Sequence, residues 1–122
     1  MKKLRIYEYS KCSTCRNALK FLDQHKVDYD KIPIVETPPT KAELRQMLAA
    51  QGGNLKKLFN TSGEVYREMK ISEKIASMSE SEALDLLASN GKLIKRPFVL
   101  GDKTGMVGFK EDDWKKAFLS RS

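Results

Sequence analysis

The 122-residue sequence has few of the features on which several classes of protein depend. Its apolar runs fall far short of the roughly 18 residues that a membrane-spanning helix needs. Basic residues near the N-terminus are not followed by the apolar stretch of a secretory signal. We therefore expect a cytoplasmic protein that does not associate with membranes.

Cysteine and histidine are scarce, with two cysteines and one histidine in the chain. Two cysteines cannot form the framework of a disulfide-rich secreted domain. Together with one histidine they are too few for a closed four-ligand zinc site, unless carboxylates contribute. A chain of this length buries enough surface to fold without disulfide bonds or a structural metal ion. We expect no metal ion and no bound organic cofactor.

Charge of one sign is only in moderate excess, with 23 Lys and Arg against 16 Asp and Glu and a net charge of +7. The basic residues are spread along the chain and mixed with acids, whereas nucleic-acid-binding proteins often cluster them on one face. Apolar residues make up 40% and charged residues 32%, which is typical of globular domains. We expect one monomeric domain with a solvated surface and no direct contact with nucleic acid.

The first third of the chain alternates between strand and helix patterns. Residues 4–9 form a short run of β-formers, and a polar loop follows. Residues 14–24 carry apolar side chains at the spacing of an amphipathic helix, and residues 27–34 predict a second strand. A β-α-β order predicts two parallel strands joined by a right-handed crossover.

The C-terminal third predicts a β-hairpin followed by a helix. Short apolar runs at 98–100 and 106–108 flank a turn that contains Asp102, Lys103, Thr104 and Gly105. The last helix begins with acidic residues at 111–113 and ends with basic residues as far as Arg121, as the helix dipole favours.

Residues 36–91 predict helices only. Two capping boxes mark helix starts, one at Thr40 with Glu43 and the other at Ser79 with Glu82. The predicted fold class is therefore α/β, a thioredoxin-like β-α-β … β-β-α arrangement with an all-helical insertion between the second and third strands. The whole chain, 1–122, is one domain, with a core of 1–35 and 92–122 and an insertion of 36–91.

The two cysteines form a C-x-x-C motif, Cys12 and Cys15, at the junction of the first strand and helix. A thiol is nucleophilic as the thiolate, which the free N–H groups of a first helical turn stabilise. Lys11 and Arg16 add positive charge nearby. We predict that Cys12 attacks and Cys15 resolves in thiol–disulfide exchange. Alternatively both are small buried apolar residues, which suits Cys15 on the apolar stripe better than Cys12.

A second motif, Arg96-Pro97, directly precedes the third strand. Proline cannot donate to a sheet and so sits at a strand start or edge. In thioredoxin-type domains such a proline is cis and faces the active cysteine. Arg96 would then lie beside Cys12 and bind an oxyanion or a carboxylate of glutathione in bidentate fashion. The alternative is an exposed arginine in a loop.

Three segments together resemble the arsenate reductase (ArsC) family of thioredoxin-like proteins, which includes the Spx-type regulators and the YffB-type proteins. The segments are YSKCSTCR at 9–16, LIKRP at 93–97 and VGFKED at 107–112. The stretch LFNTSG at 58–63 looks most like the YusI-like members. The resemblance spans nearly the whole chain and implies a thioredoxin-like core, a helical insertion and Cys12 as the nucleophile.

The resemblance also implies how an oxyanion would bind. In arsenate reductases of this type the cysteine attacks arsenate, glutathione and glutaredoxin complete the cycle, and three arginines hold the anion. Arg96 matches one arginine, Asn60 stands at the position of another, and the third has no match. Each charge-assisted contact contributes on the order of 1.5–3 kcal/mol, so the missing two make arsenate a doubtful substrate. Lys11 or Arg16 would compensate only in part.

Two classes of function stay open. The favoured one is a thiol–disulfide reductase that takes electrons from glutathione, thioredoxin or glutaredoxin and acts on a small oxyanion, glutathione or a protein disulfide. The alternative is an Spx-like redox-sensing regulator that binds RNA polymerase and uses the C-x-x-C disulfide as its switch. The expected site residues are Cys12, Cys15, Arg96, Pro97, Arg16, Lys11 and Asn60.

Overall fold

A computed structural model of the chain describes residues 4–101 and 104–118. Its centre is a four-stranded sheet of order β2-β1-β3-β4. The strands are β1 Leu4–Glu8, β2 Tyr29–Pro33, β3 Phe98–Leu100 and β4 Gly105–Val107. β1 and β2 are parallel, while β3 is antiparallel to both β1 and β4. The predicted β-α-β start and the C-terminal hairpin are therefore confirmed.

The part of the chain that the structure describes contains six α-helices around the sheet: α1 Ser13–Gln24, α2 Lys41–Ala50, α3 Glu64–Glu68, α4 Ile71–Lys74, α5 Glu80–Ser89 and α6 Glu111–Phe118. Three 3-10 turns lie at Leu55–Leu58, Ile75–Ser77 and Gly91–Leu93. Every regular element between β2 and β3 is thus helical. Asp102 and Lys103 of the predicted turn, and the predicted helix end at Arg121, lie outside the described residues.

β2 begins two residues later than the predicted strand start at Val27. The Val27 amide still donates to the Leu22 carbonyl, at 3.0 Å, and so belongs to the end of α1. Lys26 between them has a left-handed backbone, with φ 55°. The left-handed conformation of Lys26 ends α1 before the chain joins the sheet. The pattern of apolar residues does not indicate this conformation.

The two faces of the sheet bury different sets of helices, because successive side chains of a strand point to opposite faces. One face contributes Ile6 and Val99 to a core with α1 and α6. The other face contributes Tyr7, Phe98 and Leu100 to a larger core with the insertion. The first core also contains Ala18, Phe21, Leu22 and Trp114. The sheet is therefore covered on both sides.

Local hydrogen bonds fix the start of the two long insertion helices. Both predicted capping boxes are present: Thr40 and Glu43 cap α2, and Ser79 and Glu82 cap α5. The Glu43 carboxylate also accepts a 2.7 Å hydrogen bond from the buried Tyr7 hydroxyl. Since Tyr7 lies on β1, this contact joins α2 to the central strand.

A small β-bridge connects the insertion to the segment before β3. Phe59 pairs with Ile94 in antiparallel fashion. The Asn60 amide donates to the Leu93 carbonyl at 2.7 Å, and the Lys95 amide donates to the Leu58 carbonyl at 2.8 Å. The bridge therefore places the residue after Phe59 next to the Arg96-Pro97 motif.

Candidate functional site

Cys12 is the N-cap residue of α1, directly after the loop that leaves β1. Its Sγ accepts a hydrogen bond from the Cys15 amide, with a nitrogen–sulfur distance of 3.3 Å. A sulfur in this position faces the unsatisfied amides and the positive end of the helix dipole at the first turn. The side chain is half-buried, so a reagent in solvent can reach it.

Cys15 is in the opposite situation, fully buried in the first turn of the same helix. Burial, and then a hydrogen bond with the Cys12 side chain, raise the pKa of the Cys15 thiol to about 12. Both cysteines are free thiols. The C-x-x-C pair therefore consists of an accessible sulfur that caps a helix and a buried sulfur that keeps its proton at neutral pH.

The peptide bond between Arg96 and Pro97 is cis, which confirms the prediction for this proline. Pro97 is buried and Arg96 is half-exposed. The Arg96 guanidinium lies over the ring of Tyr9, with its central carbon 4.7 Å from the ring centroid. The cation–π contact holds Arg96 against the chain segment that leads into Cys12.

A cavity of about 460 Å³ brings three of the predicted site residues together. Cys12, Asn60 and Arg96 all line it. The other residues that line it include Thr14, Ser62, Gly63, Lys95, Phe109 and Lys110. The cavity thus offers one reactive sulfur, several cations and the polar side chains of the Asn60 loop.

Lys11 and Arg16 do not line the Cys12 cavity. Both side chains are exposed. The Arg16 guanidinium donates to the carbonyl oxygen of Ser10 at 3.1 Å, so it stabilises the loop before Cys12. Their positive charge acts on this site only through solvent, where screening weakens it.

Several residues at the site were not among those predicted from the sequence. They include Lys95 and Lys110, which line the cavity, and Tyr9, which contacts Arg96. Each of these three residues lies within a segment that carries the family resemblance. Their place in those segments is the sequence signal that could have identified them as site residues. Nothing in local sequence shows which side chain of such a segment turns toward the cavity.

The model of the ArsC family matches residues 7–117 of this chain. The chain belongs to the ArsC family. Among its relatives, YusI of Bacillus subtilis is 49% identical over 113 residues, which cover 93% of this chain and 96% of YusI. The global transcriptional regulator Spx of Streptococcus pyogenes is 32% identical over 110 residues, covering 90% of this chain and 80% of Spx.

Solved structures of ArsC-like proteins share the fold. An ArsC-family-related protein from Bacteroides fragilis superposes with a TM-score of 0.89 at 43% identity, covering 94% of this chain and 97% of that one. A protein from Streptococcus mutans described as a possible arsenate reductase gives a TM-score of 0.86 at 42% identity, covering 94% and 99%. This ArsC-family chain is a thiol-redox protein with a thioredoxin-like fold.

Within residues 4–101 and 104–118, no helix is both long and apolar enough to cross a membrane. The same residues contain no group of three or more His, Cys, Asp or Glu side chains that could hold a metal ion.

Proposed function

We propose that this protein is a thiol–disulfide oxidoreductase in which Cys12 attacks the oxidised substrate and Cys15 resolves the intermediate. The observation that carries the proposal is the difference between the two sulfurs. Cys12 is accessible and receives an amide hydrogen bond, whereas Cys15 is buried and its pKa is raised to about 12. Only the first can attack a substrate from solvent.

The reaction then takes two exchanges. The Cys12 thiolate attacks one sulfur of the substrate disulfide, a mixed disulfide forms, and the second substrate sulfur leaves as a thiolate. Cys15 then gives up its proton and attacks Cys12 Sγ, which releases the first substrate sulfur and forms the Cys12–Cys15 disulfide. A thiol donor, either glutathione or a thioredoxin or glutaredoxin, returns the pair to two thiols. The raised pKa of Cys15 keeps it protonated until the mixed disulfide is in place.

Arg96 is the residue best placed to bind a carboxylate of the substrate. It lines the Cys12 cavity, and its planar guanidinium can donate two parallel hydrogen bonds to a carboxylate. The side-chain amide of Asn60, in the same cavity, can donate neutral hydrogen bonds. Lys95 and Lys110 add charge, but a lysine is a flexible point charge without the fork of an arginine. This set favours a carboxylate-bearing thiol, such as glutathione, over a tetrahedral dianion such as arsenate.

The alkylation rates of the two cysteines at neutral pH test the proposal. A Cys15→Ser variant leaves only the Cys12 thiol, and a Cys12→Ser variant leaves only the Cys15 thiol. We expect the Cys12 thiol to be alkylated at least about tenfold faster, because it is accessible whereas Cys15 is buried. Equal rates, or faster alkylation of Cys15, would contradict the nucleophile assignment.

Trapping the intermediate tests the resolving role. With oxidised glutathione, the Cys15→Ser variant should accumulate a Cys12–glutathione mixed disulfide, which intact mass spectrometry detects. The unaltered protein should pass through this species to the Cys12–Cys15 disulfide. If both proteins accumulate the mixed disulfide equally, Cys15 does not resolve it. Arsenate turnover with glutathione and glutaredoxin, beside a Cys12→Ser control, tests the oxyanion separately.

The second candidate is a redox-dependent regulator, supported by the 32% identity to Spx across 90% of this chain. In that case the Cys12–Cys15 disulfide would change a surface that binds RNA polymerase. Retention of RNA polymerase by the immobilised protein should then differ between the reduced and oxidised forms, and a Cys15→Ser variant should lose the difference. Equal retention in both forms would exclude the regulator.

A further inference from the structure

A second cavity adjoins the Cys12 cavity through shared lining residues. Its volume is about 360 Å³, and it shares four lining residues with the Cys12 cavity: Lys95, Val107, Gly108 and Lys110. Gly108 has a left-handed backbone, with φ 74°, and a Cβ there would lie 3.0 Å from Cε of Lys95. The missing side chain leaves room at the junction of the two cavities.

The rim of this combined groove is basic. We call it the basic groove, and its five cations are Lys56, Lys57, Lys95, Arg96 and Lys110. Asp113 is the one carboxylate among the described residues that line it. The four lysines are exposed, and none pairs with a carboxylate of residues 4–101 or 104–118. The groove thus concentrates uncompensated positive charge next to the thiol.

We propose that the basic groove binds an acidic segment of a partner polypeptide and so presents that partner's disulfide to Cys12. This inference rests on the proposed function, because it names the class of substrate that reaches the same sulfur. Carboxylates spaced along an extended segment would contact Lys56 and Lys57 while the sulfur lies in the Cys12 cavity.

A polypeptide fits the groove better than a nucleic acid does. One end of the groove holds a sulfur nucleophile, and a polypeptide can carry the disulfide that such a sulfur attacks. The aromatic side chains that line the second cavity, Phe59 and Trp114, are buried, so they offer no exposed ring on which a base could stack.

A polypeptide segment also explains the second cavity better than glutathione does. Lys56 and Lys57 line only the second cavity, beyond the cavity that contains Cys12. A tripeptide bound through Arg96 with its sulfur at Cys12 would leave those two lysines without a partner. Attraction between several like charges and an acidic segment raises the association rate and falls with ionic strength.

Equilibrium binding tests the groove without any thiol chemistry. The protein with Cys12→Ser is titrated against a fluorescent glutamate-rich peptide whose single cysteine is replaced by serine, and anisotropy is measured. A glutamine-for-glutamate peptide of the same length is the matched ligand. We expect the acidic peptide to bind about tenfold more tightly at low salt, with the difference disappearing at high salt.

Two charge-matched variants locate the binding. Lys56→Gln with Lys57→Gln should weaken binding of the acidic peptide about fivefold. Lys20→Gln with Lys74→Gln removes the same charge from exposed positions outside both cavities and should change binding less than twofold. Equal losses in the two variants would overturn the assignment to the groove. Stronger displacement by a single-stranded oligonucleotide than by the acidic peptide would overturn the assignment to polypeptide.

Reaction rates separate this inference from the proposed function. Each cysteine-containing peptide is activated as a mixed disulfide with a chromogenic thiol, and release of that thiol reports attack by Cys12. The acidic peptide should react about tenfold faster than the glutamine peptide at low salt, while a neutral small disulfide reacts equally with the unaltered protein and the Lys56→Gln, Lys57→Gln variant. Equal rates for the two peptides would overturn the proposal that the groove binds an acidic segment, and would leave the proposed function standing. Failure of Cys12 to react even with the small disulfide would contradict the proposed function.

Discussion

The Cys12 site has two parts that are built in different ways. The first, the thiol turn, is residues 12–15, which are contiguous in the chain and set their own geometry at the start of α1. The second, the assembled lining, consists of the polar residues beyond this turn that line the Cys12 cavity: Asn60, Ser62, Lys95, Arg96 and Lys110. Its members come from distant segments that the Phe59–Ile94 bridge and the sheet bring together.

This difference separates reactivity from recognition. The nucleophile depends on amides that lie within one turn, so it should withstand changes elsewhere in the fold. Substrate binding depends on several segments packing in register, so it should be more easily disturbed. Variants of the thiol turn should therefore abolish chemistry, and variants of the assembled lining should reduce affinity while Cys12 stays reactive.

The largest expected effect follows from removing the sulfur of the thiol turn. Cys12→Ser should lower the rate of disulfide exchange on the order of 10³-fold or more, because a serine hydroxyl is not ionised at neutral pH. Exchange with a small disulfide, followed by absorbance, measures the rate. Asn60→Ala is the matched variant of the assembled lining and should keep the small-disulfide rate within about twofold. Comparable losses in both would remove the distinction between the two parts.

The second effect concerns Cys15 and pH. With a pKa raised to about 12, the Cys15 thiol of a Cys12→Ser variant should be alkylated at pH 8 about 10³-fold more slowly than a free thiol. Burial is the larger cause of the raised pKa and persists in this variant. The rate should rise with pH toward about 12. Circular dichroism checks that the variant is folded. If the Cys15 thiol of the folded variant is alkylated at pH 8 within tenfold of the rate of a free thiol, the raised pKa is contradicted.

The same raised pKa links stability to pH. Since the folded state holds the Cys15 proton more tightly than the unfolded state, the stabilisation is complete below the unfolded pKa of about 8.5. It is lost as pH rises from there toward about 12. Urea unfolding of the unaltered protein and of Cys15→Ala at several pH values should show a steeper decline for the unaltered protein over this interval.

Loss of the arginine in the assembled lining should have an intermediate effect. Arg96→Gln should weaken binding of glutathione or another carboxylate ligand about tenfold, because it removes a charge-assisted bidentate contact. Arg96→Lys should recover only part of the loss, since lysine lacks the planar fork. The alkylation rate of Cys12 is the control and should change much less than the affinity. If Arg96→Gln instead lowers the alkylation rate of Cys12 strongly and leaves the affinity for the carboxylate ligand unchanged, Arg96 acts on reactivity and not on binding.

The smallest effect concerns the support of Arg96. Tyr9→Leu removes the cation–π contact, which contributes about 0.5–1 kcal/mol at an exposed site, and should weaken anion binding two- to fivefold. Tyr9→Phe keeps the ring and should leave the affinity unchanged. Titration of the two variants with the same carboxylate ligand distinguishes a positioning role from a hydroxyl contact. Equal weakening in both would assign the effect to the hydroxyl instead.

Much of the fold could be predicted because its elements have strong local signals. The two capping boxes and the stripe of α1 were readable from side-chain type and spacing, and the structure contains all three. The four-residue helix α4 and the 3-10 turns at Ile75–Ser77 and Gly91–Leu93 were not predicted, since a segment of three or four residues is too short for periodicity to show. The late start of β2 was not predicted, because α1 ends at a left-handed residue, Lys26, and the sequence has no glycine there to indicate that conformation.

The site was predicted unevenly, in line with its two parts. Cys12 and Cys15 were predicted from their spacing, Arg96 from the Arg96-Pro97 motif before the third strand, and Asn60 from the family resemblance. Arg16 was expected at the thiol but instead donates to the Ser10 carbonyl, since a long side chain can turn to a nearby acceptor. Lys110 was missed because its approach to Cys12 depends on the hairpin and the start of α6.

The sequence by itself determined the chemistry of the thiol. Spacing in C-x-x-C, and a helix that begins at the motif, suffice to place an accessible sulfur on unsatisfied amides, since every contact involved lies within one turn of chain. Only the tertiary structure decided what that sulfur faces. The basic groove joins Lys56 and Lys57 to Lys95, Arg96 and Lys110 across a bridge and a sheet edge. Charge that is dispersed along a chain becomes a patch only when long-range packing brings it to one surface.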